Sequence, residues 1–226
     1  MNIKIISGRL SFTNHRTPYV AEPNEQGVVK RSWVANMICV DETPFLYNGK
    51  TYEQTMVEYE ENGKRHITPY TEFNAKVMPL VWAEKGVPTP KVPYLNYAFN
   101  RADATVGMRG PKIDSKTGDY YAGYEPDTWY FYGKTDADKT PVAPLVVDQN
   151  RAPLPAESGH PVSGDFVVVL ISIYVFGKGN KMGVSASYNG MQYLREGEAF
   201  GATRATSESF DEQEAEVGSE EGSDCF

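Results

Sequence analysis

Several residue types that metal sites and disulfide frameworks require are scarce in this sequence of 226 residues. It has two widely separated cysteines, Cys39 and Cys225, and three isolated histidines, His15, His66 and His160. These spacings indicate neither the disulfides of a small secreted domain nor a zinc site. No apolar run approaches the roughly 18 residues of a membrane span, and no signal-peptide pattern is visible. We therefore expect a protein of the cytoplasm, without metal or membrane anchor.

Recognisable catalytic motifs are also absent from the sequence. Two GKT triplets, at 49–51 and 133–135, lack the glycine that a phosphate-binding loop places five residues earlier, since Pro44 and Thr128 stand there. The triplet 163–165, Ser-Gly-Asp, lacks the strand-turn-helix context of a hydrolase nucleophile. We expect a non-enzymatic protein that uses no cofactor.

Basic residues are missing from the end of the chain. The segment from Ala205 to Phe226 holds eight acidic residues and no lysine or arginine, although the whole chain has 22 basic and 30 acidic residues. Residues 1–204 are therefore electrically neutral, and the end of the chain carries the net charge of -8. Apolar residues are also sparse here, so we expect residues 202–226 to be a flexible acidic tail on a single domain spanning 1–201.

Alternating apolar and polar residues predict several strands. The run 2–12 alternates and then breaks at Gly8, which indicates a bulge or bend, and 31–41 alternates in both parities. The aromatic run 127–135 and the β-branched run 164–176 are also typical of strands. The second of these is followed by a glycine-rich loop and by alternation at 182–188, which together predict a hairpin. Few helices and several antiparallel strands favour a small β-barrel.

One segment, 71–86, has the spacing of a helix. We expect Thr71 to cap it, Leu80 to lie on its apolar face and Gly86 to end it, with a kink at Pro79. The stretch 44–63 has no clean period and remains unassigned. The stretch 87–126 is rich in glycine, proline and tyrosine, and we expect a long loop that covers the binding groove, extends it or forms an interface.

Aromatic and basic residues alternate on the two most aromatic strands. Tyr130, Tyr132 and Lys134 share one face of the first strand, opposite Trp129 and Phe131. Single-stranded nucleic acid binds to proteins by stacking its bases on such rings while lysine and arginine contact the phosphates. The alternative is that these rings cover the barrel exterior or pack beneath the long loop.

The second strand has one wholly aliphatic face, from Val167 to Val175, which is the natural barrel interior. This orientation turns Tyr174 and Phe176 outward, just before Lys178 and Lys181.

The acidic tail has a candidate role beside such a strand. A flexible polyanion attached to a domain that binds a polyanion will compete for the same groove. The terminal Phe226 also gives a basic protein partner an apolar anchor beside a free carboxylate.

The sequence blocks VVDQNRAPL and SGDFVVVLISIYVFGKGNKMGVSASYNGMQYLREGEAFG resemble the carboxy-terminal half of phage single-stranded DNA-binding proteins of the Enterobacter phage type, a family once filed as a domain of unknown function. GRLSF stands in the matching place near the amino terminus. The resemblance is specific over 146–201 and implies a five-stranded OB-fold barrel with one or two short helices, distantly similar to the podophage replication protein of this kind.

The resemblance implies that the ligand is single-stranded DNA in phage replication or recombination, in the cytoplasm of an infected bacterium. We expect DNA contacts from the outward residues of both strands and from two arginines in the matching blocks: Tyr130, Tyr132, Lys134, Tyr174, Phe176, Lys178, Lys181, Arg151 and Arg9. We expect partner contacts from tail residues: Glu220, Glu221, Asp224 and Phe226. The partners implied are phage or host polymerase, helicase or nuclease, and a second copy in a homodimer is an open alternative.

Two other functions also remain open from the sequence. One is a β-barrel adaptor that binds protein rather than DNA through its tail. The other is a recombination factor that anneals complementary strands, which is compatible with coating of single strands.

Overall fold

The computed structural model of the chain describes residues 1–84, 86, 98–103, 111–176 and 183–200. Its strands, in chain order, are β1 (Asn2–Val20), β2 (Arg31–Ile38), β3 (Phe45–Tyr47), β4 (Lys50–Tyr52), β5 (Met56–Glu61), β6 (Lys64–Pro69), β7 (Phe99–Arg101), β8 (Trp129–Asp136), β9 (Leu145–Val147), β10 (Phe166–Phe176) and β11 (Gly183–Arg195). Its helical elements are α1 (Tyr70–Glu72), a π-helical turn (Phe73–Val77), α2 (Met78–Glu84) and a 3-10 turn (Ala156–Ser158).

Five of the strands, β1, β2, β8, β10 and β11, form a small barrel. β1 pairs antiparallel with β10 along its first half and with β2 along its second half. β2 continues to β8, and β10 to β11, both antiparallel. β8 approaches β11 where the Thr135 hydroxyl donates a 2.7 Å hydrogen bond to the Tyr188 carbonyl. This partly open five-stranded barrel is an OB-fold, so the predicted mainly β fold is confirmed.

The aliphatic face of β10 fills the barrel as its alternation predicts. Val167, Val169 and Ile171 are fully buried, and Ile173 is nearly so. They share one apolar cluster with the inner side chains of the neighbouring strands, among them Ile3, Leu10, Trp33, Met37 and Phe131. Because successive side chains on a strand point to opposite faces, this packing determines which residues of β8 and β10 face outward.

β1 bends at the position that the sequence indicates. Its register with β10 shifts between Ile6 and Gly8, and Ser7 adopts a positive φ of 60°. A Cβ added at Gly8 would lie only 2.6 Å from the Met37 sulfur, so glycine allows β2 to pack closely at this bend. The bulge lets one long strand serve both sides of the barrel.

The helix forms where its spacing predicts, with two differences. Its cap residue is Pro69 and no side chain caps it, so Thr71 lies inside the first turn rather than at the cap. Leu80 is exposed, because the π-helical turn changes the helical phase before Pro79, while Val81 and Trp82 are buried. Gly86 has a φ of 65° at the end of the helix.

Among the described residues, no helix has the length and apolarity to cross a membrane.

The stretches without a clear sequence period contain short strands. The unassigned 44–63 forms the β3–β4 hairpin and β5, and β5 pairs with β1 and β6. The expected loop 87–126 contains β7, which pairs with the start of β8. β3, β4 and β7 have three residues each, too few for alternation to be visible, and the first four residues of β5 are all buried.

His15 on β1 gives the fold a defined response to pH. Its ring is buried, and its Nδ1 lies 3.1 Å from the Thr13 hydroxyl. Burial lowers its pKa to about 4, and the nearby Arg16 lowers the pKa in the same direction. An unfolded histidine has a pKa of about 6.5, so between these two values the unfolded chain binds the proton more tightly than the folded protein does.

We predict that protonation of His15 destabilises the fold as the pH falls from about 6.5 to about 4. Linkage makes the fold less stable at pH 4.5 than at pH 7 by roughly 2 kcal/mol. In His15→Asn, which keeps a polar atom near Thr13 but does not titrate, the free energy of unfolding by urea should fall less over this range. Equal pH slopes for the two proteins would contradict the prediction.

Candidate nucleic-acid interface

The outer face of β8 carries the tyrosines that alternation predicts, but one of them is covered. Phe131 points into the barrel and Tyr130 points outward. Tyr130 has no exposed surface, because it packs in a second apolar cluster with Ile38, Ala102 and Tyr124. In this arrangement Tyr130 packs beneath the long loop, as in the alternative that the sequence leaves open, and offers no exposed surface to a base. Its role in DNA binding stays a prediction.

The described part of the long loop provides that cover. The Lys112 amide donates to the Ala102 carbonyl at 2.8 Å, and the Tyr121 amide donates to the Lys112 carbonyl at 3.0 Å. These bonds hold the 111–126 segment across the outer face of β8. Tyr124 then meets Tyr130 edge to face, with their ring centres 5.2 Å apart. Tyr121 and Tyr124 of this segment therefore contribute rings to the outer surface that β8 was predicted to form alone.

Phe12 forms the exposed edge of this aromatic surface. Its side chain is 49% exposed, and its ring stacks on Tyr124 at 5.9 Å and meets Tyr121 edge to face at 5.2 Å. The register of β1 with β2 skips from Ser11 to Thr13, so Phe12 is the extra residue of a β-bulge. A bulge redirects a side chain, and strict alternation does not reveal such a position. Sequence reasoning therefore missed Phe12, although the GRLSF block contains it.

A lysine lies among these rings. The ammonium nitrogen of Lys112 lies near three ring centres: Tyr130 at 5.1 Å, Tyr124 at 5.6 Å and Phe12 at 5.9 Å. A cation at this distance from a ring is attracted by the ring's quadrupole. We call the surface formed by Phe12, Lys112, Tyr121, Tyr124, Tyr130 and Tyr132 the aromatic face. It combines the partly exposed rings of Phe12, Tyr121 and Tyr132 with a positive charge, which is the chemistry that binds a stacked base and its phosphate.

Tyr132 and Lys134 lie on the same outer side of β8. Tyr132 is half-buried at the edge of the Tyr130 cluster, and Lys134 is exposed. Both are therefore accessible, as the strand alternation predicts. Their role in DNA binding remains a prediction.

Arg9 anchors the carboxy-terminal segment to the barrel. Its Nε donates to the Gly164 carbonyl at 3.2 Å, and its Nη2 donates to the Glu198 carbonyl. Its guanidinium lies 4.0 Å from the centre of the Phe200 ring. Partial burial lowers the pKa of Arg9 and the nearby Arg195 lowers it in the same direction, while Glu198 raises it. These contacts occupy much of the hydrogen-bonding capacity of Arg9, a residue that we expected from the sequence to contact DNA.

The other predicted contacts lie on different surfaces. Tyr174, 43% exposed, and the half-buried Phe176 point outward from β10, which adjoins β1 and β11 rather than β8. Arg151 is exposed on a turn beyond β9 and lines a separate groove. The structure thus does not join these three residues to the aromatic face.

Six predicted residues lie outside the described part of the chain: Lys178, Lys181, Glu220, Glu221, Asp224 and Phe226. Within the described part, no group of three or more histidine, cysteine or carboxylate side chains is placed to hold a metal ion. Cys39 is a free, buried thiol, and burial raises its pKa above the ordinary range.

Comparison with protein families identifies the carboxy-terminal half of the chain. Residues 112–220 match the family model described as the single-stranded DNA-binding protein of Enterobacter phage Enc34. These residues belong to this phage family. The match includes the 111–126 segment except its first residue, together with β8 to β11, and so contains Lys112, Tyr121, Tyr124 and the outer face of β8.

One curated relative shares part of this sequence. A protein named p50 from Acyrthosiphon pisum secondary endosymbiont phage 1 is 44% identical over 70 residues, which is 30% of this chain and 38% of that protein. The match thus spans little more than a third of that relative.

Solved structures match the fold over nearly the whole chain. The single-stranded DNA-binding protein from bacteriophage Enc34, solved in complex with single-stranded DNA, matches with a TM-score of 0.53 and 12% identity over 88% of this chain and 89% of that one. A second structure of that protein gives the same TM-score and identity over 92% and 88%. At this identity the likeness shows the fold.

Proposed function

We propose that this protein is a non-enzymatic phage protein that coats single-stranded DNA during replication or recombination. The DNA-binding domain spans 1–201 and the acidic tail spans 202–226. The proposal is supported by the family of residues 112–220 and by the OB-fold, whose second and third barrel strands commonly bind oligonucleotides. In this chain those strands are β2 and β8, and the aromatic face lies on their outer side.

The half-exposed ring of Phe12 is the observation that carries the proposal. Its position next to Tyr121 and Tyr124 makes it the end of a stack that a nucleobase can extend. Stacking on an aromatic ring contributes about 1–3 kcal/mol per base and requires no particular sequence, because every base has a π-face. Lys112 and Lys134 lie near enough to this surface to contact the phosphates.

The route of the chain supports competition between the tail and DNA. Phe200, the last described residue, packs at the edge of the Tyr130 cluster and on Arg9. The acidic segment 205–226 is thus tethered by a few residues to the aromatic face. A short tether gives the tail an effective concentration that reaches the mM range, so it competes with phosphates for the same cations. DNA then displaces the tail, which becomes available to basic protein partners such as a polymerase, helicase or nuclease in the cytoplasm of the infected bacterium.

We predict that Phe12→Ala weakens binding of oligo-dT by the contribution of one stacked base. The expected loss is about 1–3 kcal/mol, or roughly 5- to 150-fold in Kd, measured by fluorescence anisotropy with a labelled oligonucleotide. The matched control is Leu80→Ala, which removes an exposed apolar side chain on α2 and should leave Kd unchanged. Thermal unfolding of each variant excludes a loss of fold.

A different pattern of affinity losses among the variants would place the DNA interface on another surface. If Phe12→Ala bound like the wild type while Tyr174→Ala with Phe176→Ala bound weakly, the outer face of β10 would be the stacking surface. If neither the variants nor the wild type bound DNA, the protein adaptor would replace the DNA-binding proposal.

We also predict that a chain ending at Arg204 binds oligo-dT more tightly than the full chain does. The deletion removes eight acidic side chains and keeps every described residue, the last of which is Phe200. The gain should be largest at low salt, since added salt screens the attraction between the tail and the cations. Equal affinity of the two chains throughout a salt series would reject competition by the tail.

A further inference from the structure

A second, more strongly basic surface lies apart from the aromatic face. The β3–β4 hairpin stands over the outer side of β1, β9 and β11 and encloses a groove of about 930 Å³. Among the described residues, four cationic side chains and no carboxylate line this groove: Lys4, Arg65, Arg151 and Arg195. We call it the basic groove. The surplus of positive charge stands out because residues 1–204 as a whole are neutral.

The turn that carries Arg151 is held in place by Asp148. The Asp148 carboxylate accepts hydrogen bonds from the amides of Asn150 at 2.8 Å and Ala152 at 2.9 Å, and its carbonyl accepts one from the Arg151 amide at 3.1 Å. Arg151 itself adopts a φ of 68°, an uncommon conformation for a residue other than glycine. Its side chain makes no ion pair with any described residue. The turn thus presents an uncompensated charge at a fixed position.

Arg195, at the end of β11, connects the basic groove to the aromatic face. Its guanidinium lies 3.6 Å from the centre of the Phe166 ring. Arg9, which holds Phe200 beside the aromatic face, lies 5.9 Å from the centre of the same ring. Arg195 also forms no ion pair within the described ranges. Two positive charges therefore lie against one ring, Phe166, between the two surfaces.

The opposite wall of the groove is neutralised only in part. Glu58 accepts a hydrogen bond from Lys4 Nζ at 2.7 Å and a second one from Arg65. The nearly buried Glu58 carboxylate thus pairs with both Lys4 and Arg65, and one net positive charge remains on this wall. Tyr47 of the hairpin lies half-buried among the lining residues and adds an aromatic ring.

We propose that the basic groove binds the sugar-phosphate backbone of the same DNA strand after it leaves the aromatic face. The inference rests on the proposed function, because it extends the path of that ligand. Continuity through Arg9, Phe166 and Arg195 favours DNA over a separate anionic ligand. The groove then lengthens the binding site and contributes to affinity only for strands long enough to occupy both surfaces.

The test compares two lengths of labelled oligo-dT on the full chain, about 4 and about 16 nucleotides, the limits of what one OB-fold covers. Arg151→Glu should weaken binding of the long strand several-fold. It should also reduce the slope of log K against log salt by about 0.7, the value for one phosphate contact on a single strand. Binding of the short strand should stay unchanged. Arg195→Gln, which removes charge without reversing it, should act in the same direction.

Lys76→Glu is the matched control, because it makes the same change of charge at an exposed helix position outside both surfaces. If Arg151→Glu had no more effect than Lys76→Glu while the wild type bound both strands, the basic groove would be excluded and the proposed function would stand. Tighter binding of the long strand by Arg151→Glu would instead indicate that the groove holds the acidic tail, and would overturn the inference. A wild type that bound neither strand would reject the proposed function itself.

Discussion

The packing of the aliphatic face of β10 inside the barrel is the constraint on which the rest of the structure depends. Val167, Val169 and Ile171 are buried in one apolar cluster with Met37 and Phe131. This packing determines which side chains of the paired barrel strands face inward and which face outward. Tyr130, Tyr132 and Lys134 of β8 then lie outside the barrel, where Tyr130 packs in the second apolar cluster. Burial of the aliphatic face thereby creates the outer surface that the chain covers in part and leaves available in part for a ligand.

The sequence predicts what depends on local period and misses what depends on contacts distant in the chain. Alternation predicts the inner face of β10 and the outward direction of Tyr130. It does not show that the segment 111–126 folds back and buries Tyr130, since that contact joins elements with no shared pattern. Phe12 is missed because a bulge interrupts the alternation of β1, and Arg9 is bonded to carbonyls far along the chain.

The distribution of charge connects the two proposed surfaces with the tail. A neutral body of 204 residues places cations near the aromatic face and in the basic groove, while all of the net negative charge lies in the last 22 residues. Under the proposed function, phosphates and tail carboxylates compete for these cations. Aromatic stacking, which carboxylates cannot provide, would then give DNA the advantage over the tail.

The central claim is that bases stack on the outer side of β2 and β8, and photo-crosslinking tests it most directly. The full chain would be irradiated with an oligonucleotide that contains a halogenated deoxyuridine, and crosslinked residues would be mapped by mass spectrometry. We expect crosslinks at Phe12, Tyr121 or Tyr132, the accessible rings of the aromatic face. Crosslinks confined to Tyr174 and Phe176, or crosslinks that unlabelled oligo-dT does not suppress, would contradict this account.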